Sequence, residues 1–331
     1  MFMTNHVIRT ATARSLVRPR RPKVLPFAAM LLVVVCCSTA AVQPAPYGDW
    51  GAPVNLDAAF DPSRGINTSV NDGCPIESPD GQMLFLASNR VGTQGMNDIW
   101  VAMRAADGSW GDPEPIAAIN SPANDFCPSP LPGNRLLFVS TRAGNCAGSA
   151  NNADIYMTRW HPVHGWEPPT PIDCAVNSEF DEFSPSLVEG DGRTMLFFSR
   201  GIGMTNHKIH MSVLGADGTW SVALPVDELN APGASDARPN VRKDGLEIVF
   251  DSTREFANPQ IYSSSRATID DPWSVPERLP FPINRPEAQQ TRASLSRDAT
   301  RLYFGSNRAG SEGAADIYVA TRPRAGVAAA Q

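Results

Sequence analysis

The sequence predicts an all-β fold: a five-bladed β-propeller with four-stranded blades, its last blade closed by the N-terminal strand. Three observations predict it. Trp50, Trp110, Trp166, Trp220 and Trp273 recur at intervals of 60, 56, 54 and 53 residues. Each interval holds short apolar stretches separated by turn residues, and Gly and Pro together number 55 of 331 residues. The first strand-like stretch lacks the three that should precede it, and the final repeat lacks the one that should close it.

Ahead of the repeats lies a different composition. Arg9, Arg14, Arg18, Arg20, Arg21 and Lys23 come with no acidic residue, then an apolar run from Val24 to Cys37, then Ser38-Thr39-Ala40-Ala41. This is the pattern of a secretory signal peptide, expected over 1–40 with a linker over 41–49. The apolar run is short for a bilayer span, so no integral membrane segment is expected after cleavage. Cys36 and Cys37 raise a lipoprotein reading, which Val34 and Val35 fit poorly. An exported chain, periplasmic or extracellular, is the expectation. The whole chain carries −6; without its leader, 22 basic residues face 34 acidic ones, which gives −12. Such a surface excludes nucleic acid as a partner.

The elements follow in order within each repeat. Strand A begins at a repeated acid: Asp72, Asp125, Asp181 (with neighbouring Glu182) and Asp236, replaced in the fifth copy by Gln290. An apolar residue and an asparagine precede it, as in Ile66-Asn67 and Ile119-Asn120. Strand B follows a turn such as Ser78-Pro79-Asp80-Gly81 and runs to Arg90, Arg142, Arg200, Arg254 or Arg308. Strand C opens at Asp98, Asp154, Lys208, Gln260 or Asp316, and strand D starts at the tryptophan. Four strands at a period near 50 make one blade, which must stack on neighbours to bury both faces. The opening D strand, Trp50 to Leu56, completes the blade that ends at Thr321, and so covers its exposed edge. The propeller is expected over 50–322 with a disordered tail over 323–331, as a monomer.

These phrases resemble the TolB-like, WD-type propeller repeat family, through the Ser-Pro-Asp-Gly turn at 78–81, the Ser-x-Arg ends of strand B and the Asp-Ile-Trp/Tyr openings at 98, 154 and 316. The resemblance covers nearly all of the chain beyond the leader. It implies the fold, and it leaves function open among scaffolding propellers, caps of peptidases and others. The third and fourth copies depart from the pattern at Lys208 and Gln260.

Strand order puts the D–A connectors and B–C loops on one rim, and the A–B and C–D turns on the other. Arg90 with Asp98, Arg142 with Asp154 and Arg308 with Asp316 bracket B–C hairpins and are expected to be structural ion pairs. Arg200 and Arg254 face Lys208 and Gln260 instead, which makes them candidate ligand-binding arginines. Asp72, Asp125, Asp181 and Asp236 would sit near the channel mouth as ligand-binding groups or as caps of turns. Five-bladed arabinanase-like hydrolases carry one carboxylate on each of the first three inner strands. That resemblance would give Asp72, Asp125 and Glu182 acid–base roles. Several carboxylates around one channel also suit Ca²⁺, although no metal motif is present and no cofactor is expected.

Cys74 and Cys127 hold one place in adjacent inner strands, and Cys146 and Cys174 fall on one rim. Two disulfides, Cys74–Cys127 and Cys146–Cys174, are therefore expected. At the inner place the later repeats have Phe183, Arg238 and Arg292. Those arginines would neutralise the acidic ring and join the ligand-binding candidates. His161 with His164 and His207 with His210 are poor chelates and are expected at the surface. Asp107-Gly108 and Asp217-Gly218 read as C–D turns. No Ser-His-Asp, G-x-S-x-G, phosphate-loop or C-x-x-C pattern occurs. The sequence thus predicts a non-catalytic binding or scaffolding module. Its protein or glycan ligand would meet the rim formed by Val91–Asn97, Ala143–Ala153, Gly201–His207, Glu255–Pro259 and Ala309–Ala315. The alternative is a glycoside hydrolase or lyase.

Overall fold

The computed structural model describes residues 47–57, 65–144, 146, 148, 152–203 and 205–325. The expected signal peptide, most of the linker, part of Ala143–Ala153 and the end of the tail lie outside the described residues. Strand β1 (Val54–Asn55) comes first. Blade 1 is β2 (Asp72–Glu77), β3 (Met83–Ser88), β4 (Asp98–Met103) and β5 (Glu114–Pro115). Blade 2 is β6 (Asp125–Leu131), β7 (Arg135–Ser140), β8 (Asp154–His161), β9 (Gly165–Trp166) and β10 (Thr170–Pro171). Blade 3 is β11 (Asp181–Gly190), β12 (Arg193–Ile202), β13 (Thr205–Val213) and β14 (Leu224–Pro225). Blade 4 is β15 (Asp236–Val241), β16 (Glu247–Ser252), β17 (Gln260–Ser265) and β18 (Glu277–Arg278). Blade 5 is β19 (Gln290–Leu295), β20 (Arg301–Ser306) and β21 (Asp316–Thr321), with β1 as its outer strand.

The five-bladed, four-stranded antiparallel architecture is as expected, and so is its closure: Val54 pairs with Val319 and Asn55 with Tyr318. Blade 2 differs at its outer edge, where β9 and β10 both pair with β8.

Strand B shows why the blades stack. Its side chains alternate between two faces, and each face is buried against a different neighbour. In β3, Leu84 and Leu86 join a core with Tyr303 and Ile317 of blade 5, while Phe85 joins one with Leu136 and Phe138 of blade 2. In β12, Leu196 and Phe198 face blade 2, while Met195 and Phe197 face blade 4. In β16, Ile248 and Phe250 face blade 3, and Val249 faces blade 5. The core is thus a ring of inter-blade layers, each full Leu or Phe burial contributing about 1.5–3 kcal/mol.

The repeated asparagine locks each D–A connector to the C strand. Asn120 Oδ1 accepts the Ile99 N–H at 2.9 Å and its Nδ2 donates to the Ile99 carbonyl at 3.0 Å. Asn67, Asn177, Asn230 and Asn284 repeat this at Ile317, Ile155, Ile209 and Ile261.

Every A strand carries a bulge two residues past Asp72, Asp125, Glu182, Asp236 or Gln290, centred on a non-glycine residue in the left-handed region: Cys74 (φ 50°), Cys127 (47°), Ser184 (51°), Arg238 (55°) and Arg292 (56°). Such a conformation is uncommon for residues with a Cβ, and a bulge re-aims a side chain. Here it sends all five toward the channel axis. Blade 3 is therefore in register through Glu182, and its channel residue is Ser184, where the sequence reading placed Phe183.

Candidate functional site

A belt of acid–arginine pairs runs around the loop-bearing rim. Arg90 donates to Asp72 at 2.7 Å, Arg142 to Asp125 at 2.7 Å, Arg200 to Glu182 at 2.8 Å and Arg254 to Asp236 at 2.6 Å. Each guanidinium also reaches the carbonyl ahead of the connector asparagine, as Arg90 does at Ile66 (2.7 Å) and Arg200 at Val176 (2.6 Å). The four carboxylates are wholly buried. Their other oxygens accept from the connector, for example the Thr68 N–H and hydroxyl on Asp72 and the Ser178 N–H on Glu182, whose Arg200-bonded oxygen also takes the Ser178 hydroxyl. Burial pushes Glu182 up to about 7, against the opposing pull of the Ser178 hydroxyl and Arg200.

This corrects the expected hairpin pairs. Arg90 and Arg142 turn to the strand A acid, away from Asp98 and Asp154, because Asp72 and Asp125 stand opposite Ser88 and Ser140 in the A–B register. Asp98 instead accepts the Gln94 and Gly95 N–H groups of its own hairpin, and Asp316 those of Glu312 and Gly313. Arg308, beside Gln290, donates to the Ile283 carbonyl and Ser306. Arg200 and Arg254 do have acidic partners, Glu182 and Asp236, and are not set apart from Arg90 and Arg142 as ligand-binding groups. Lys208 reaches over to Asp236 (3.2 Å) and two connector carbonyls, and Gln260 to two connector carbonyls, of Arg285 and Ala288, and two of its own hairpin, of Asn258 and Pro259. Asp181 is no member of the ring: it accepts the Ala153 and Gly203 N–H groups and ties two loops together. Gly201–His207 is mostly strand, since β12 and β13 pair as far as Ile202 and Thr205.

Inside the belt the channel narrows to a waist of about 30 Å³ walled by the five bulge residues and the prolines that follow four of them. Both expected disulfides are present, with Cα separations of 4.9 Å for Cys74–Cys127 at the waist and 5.5 Å for Cys146–Cys174 on the rim. Above the waist, on the loop-bearing rim, opens a cup of about 220 Å³. Asn71, Asn97, Asn124, Phe126 and Phe183 form its walls, with Arg238 and Arg292 at its floor. Phe126 and Phe183 meet edge to face at 5.3 Å, and His207 stacks on Phe183 at 4.5 Å. His207 is buried, not at the surface as expected, and burial pushes its pKa down. His161 and His164 stack at 3.9 Å in their turn.

The cup's charge turns on Asp251, which the sequence reading missed. Asp251 lies in strand B, opposite Ala237, in a row otherwise held by Ala87, Val139, Ser199 and Gly305. It accepts from the Arg238 guanidinium at 2.5 Å and from the Arg292 backbone N–H at 2.9 Å. Burial pushes its pKa up, with Arg238 opposing. The Arg292 guanidinium has no hydrogen-bonding partner among the described residues. Burial first, then Arg238 beside it, push it down to about 10.

The opposite rim bears a larger hollow, of about 630 Å³, between the A–B turns. Of the charges lining it, Arg242 pairs with Asp244, Glu77 and Glu189 pair with Arg301 and Arg135 outside the lining, and Asp191, Lys243 and Arg297 make no ion pair among the described residues. Among the described residues no group of three or more His, Cys, Asp or Glu could hold a metal, and no helix is long and apolar enough to cross a membrane.

No protein-family model and no curated protein matches the sequence. Solved structures do resemble the fold. An α-L-arabinofuranosidase from Lactobacillus brevis superposes with a TM-score of 0.52 at 11% identity, over 81% of this chain and 94% of that one. A GH43 endo-arabinanase from Bacillus licheniformis does so with a TM-score of 0.50 at 14% identity, over 76% of this chain and 95% of that one. TolB from Acinetobacter baumannii gives a TM-score of 0.43 at 14% identity, over 77% of this chain and 55% of that one. At these identities the first two likenesses speak to the propeller fold alone.

Proposed function

We propose that this is an exported, non-catalytic binding propeller of TolB-like repeat type, which holds a protein or glycan ligand on its loop-bearing rim. The observation that carries this reading is the state of Asp72, Asp125 and Glu182. A hydrolase of the arabinanase kind would need these carboxylates facing substrate, able to donate or accept a proton at a scissile bond. Each is wholly buried, bonded to an arginine and to a connector N–H. Recurrence of the arrangement in blade 4, through Asp236 and Arg254, fits a structural clamp. The loop-bearing rim is favoured over the larger opposite hollow because its cup is ringed by the loops that differ most between repeats and has at its floor the Arg292 Nε, buried without a partner. Two disulfides suit an oxidising compartment.

The test is retention on a panel of plant and bacterial polysaccharides and envelope proteins, with one obstructed variant per rim. Asn71→Trp, at the cup mouth, is expected to abolish retention, and Lys243→Trp, on the exposed opposite rim, to leave it intact. The reverse pattern would move the site to the other rim, and sugar release during the assay would replace binding by hydrolysis.

A further inference from the structure

The floor of the loop-rim cup carries one guanidinium more than its own acids neutralise. Arg238 and Asp251 form a closed pair at 2.5 Å. Asp181, at the mouth, has one oxygen on the Ala153 N–H and the other on the Gly203 N–H. Arg292 is left over. Its guanidinium lies against Gly73, whose added Cβ would stand 3.0 Å from Nη1, and its Nε is buried without a partner. A buried, unpaired donor of this kind costs stability unless something satisfies it. The waist below holds only about 30 Å³, room for a water or two and not for a sugar ring, so a ring entering from the rim stops at Arg292.

We infer that this cup binds a single carboxylate borne on a small polyhydroxylated body, that is, a sugar acid, with Arg292 as its anchor. The charge selects a monoanion: at the floor Arg238 and Arg292 face Asp251 alone, Asp181 lines the same cup nearer its mouth with its oxygens on neutral N–H groups, and the second charge of a dianion such as phosphate would be left uncompensated. Arginine's planar fork matches a carboxylate with two parallel bonds. The walls select the body. The amides of Asn71, Asn97 and Asn124 each present a donor and an acceptor, as hydroxyl groups require. Of these six groups, Asn97 Nδ2 and Asn124 Oδ1 are spent on each other at 2.8 Å, and the remainder have no partner among the described residues. Phe126 offers an apolar face to a ring. A volume of about 220 Å³ equals that of roughly seven waters, room for one ring and not two.

The inference rests on the loop rim being a binding surface, and the experiment separates the two. The purified protein is titrated calorimetrically with galacturonate, glucuronate, short oligomers ending in either, glucose, inorganic phosphate and a peptide with a free C-terminal carboxylate. The sugar acids should bind, with glucose and phosphate weaker by roughly tenfold or more. Oligomers binding more tightly than monomers would mark a chain end, and equal affinities the free acid, as the natural source. Arg292→Gln should weaken sugar-acid binding by about 10- to 100-fold. Asn71→Ala, which removes an amide that ties down nothing else, should weaken it several-fold with an unchanged melting temperature. Sugar acids binding no better than glucose, tighter binding of phosphate or peptide, or full affinity in either folded variant would overturn the assignment. Polysaccharide retention that survives Arg292→Gln would overturn the cup alone and leave the rim as a binding surface.

Discussion

Replacing Glu182 by Gln should stabilise the protein above neutral pH, although it deletes one partner of a buried ion pair. Glu182 is wholly buried, and its carboxyl is pushed from 4.5 up to about 7, burial outweighing Ser178 and Arg200. A group whose folded pKa lies above its unfolded one contributes stability that is fully present below the unfolded value and is lost as pH rises through the folded one. The window is therefore 4.5 to about 7, and the loss across it comes to about 3 kcal/mol. Gln carries no such loss. Blade 5 shows that the geometry accepts it: Gln290 holds the equivalent place, its Oε1 takes the Arg285 N–H at 3.0 Å, and Arg308 keeps its bond to the Ile283 carbonyl at 2.7 Å. Urea unfolding at intervals from about pH 5 to about pH 8 should show Glu182→Gln matching wild type at the acid end and exceeding it by up to about 3 kcal/mol at the alkaline end, with unchanged m. A variant that falls progressively below wild type as pH rises would refute the reasoning, because the pairing with Arg200 would then outweigh burial.

Three further outcomes follow from the fold. Cys146→Ala with Cys174→Ala opens a loop of 28 residues and should cost about 3–4 kcal/mol by the chain-entropy argument, read as a lower urea midpoint. Asn177→Ala leaves the Ile155 N–H and carbonyl without the bonds they make at 2.9 and 3.0 Å, and should cost about 2–5 kcal/mol by thermal or urea unfolding. Removing residues up to Leu56 deletes β1 and strips Trp50 from Arg322, over which it lies at 4.3 Å. The exposed edge of β21 should then promote self-association, visible by light scattering; a truncated chain that stays monomeric with an unchanged melting temperature would contradict the closing role of β1.

The fold was readable because a propeller marks the same strand boundaries again in blade after blade. Trp, Ile-Asn, Ser-x-Arg and Asp-Ile each mark one strand boundary, and the unmatched first and last strands revealed the closure. The partners of those residues were less legible. Arg90 and Asp98 are near in sequence at the two ends of one B–C loop, yet Arg90 goes to Asp72, since sequence separation does not say toward which neighbour a side chain leans. In blade 3, Arg200 directly follows Ser199, one residue sooner than the arginines of the other blades, and Asp181-Glu182 offers two acids for one place. The repeat alone pointed to Asp181, and the connector N–H of Ser178 selects Glu182. Signals for the cup were present but unread. Pro75, Pro128, Pro185 and Pro239 each follow the bulge residue, and Asp251 is an acid in a row of small or apolar residues. Together they place an arginine pair with a single counter-charge on the axis.

The account stands most directly on whether the ring carboxylates are structural. The measurement is sugar release from the polysaccharide panel by wild type and by Asp72→Asn, Asp125→Asn and Glu182→Gln, with unfolding followed in parallel. The account predicts no release by any of the four proteins, and stability changes in the three variants. Release by wild type that disappears in a variant whose fold and melting temperature are intact would contradict it and make the ring catalytic.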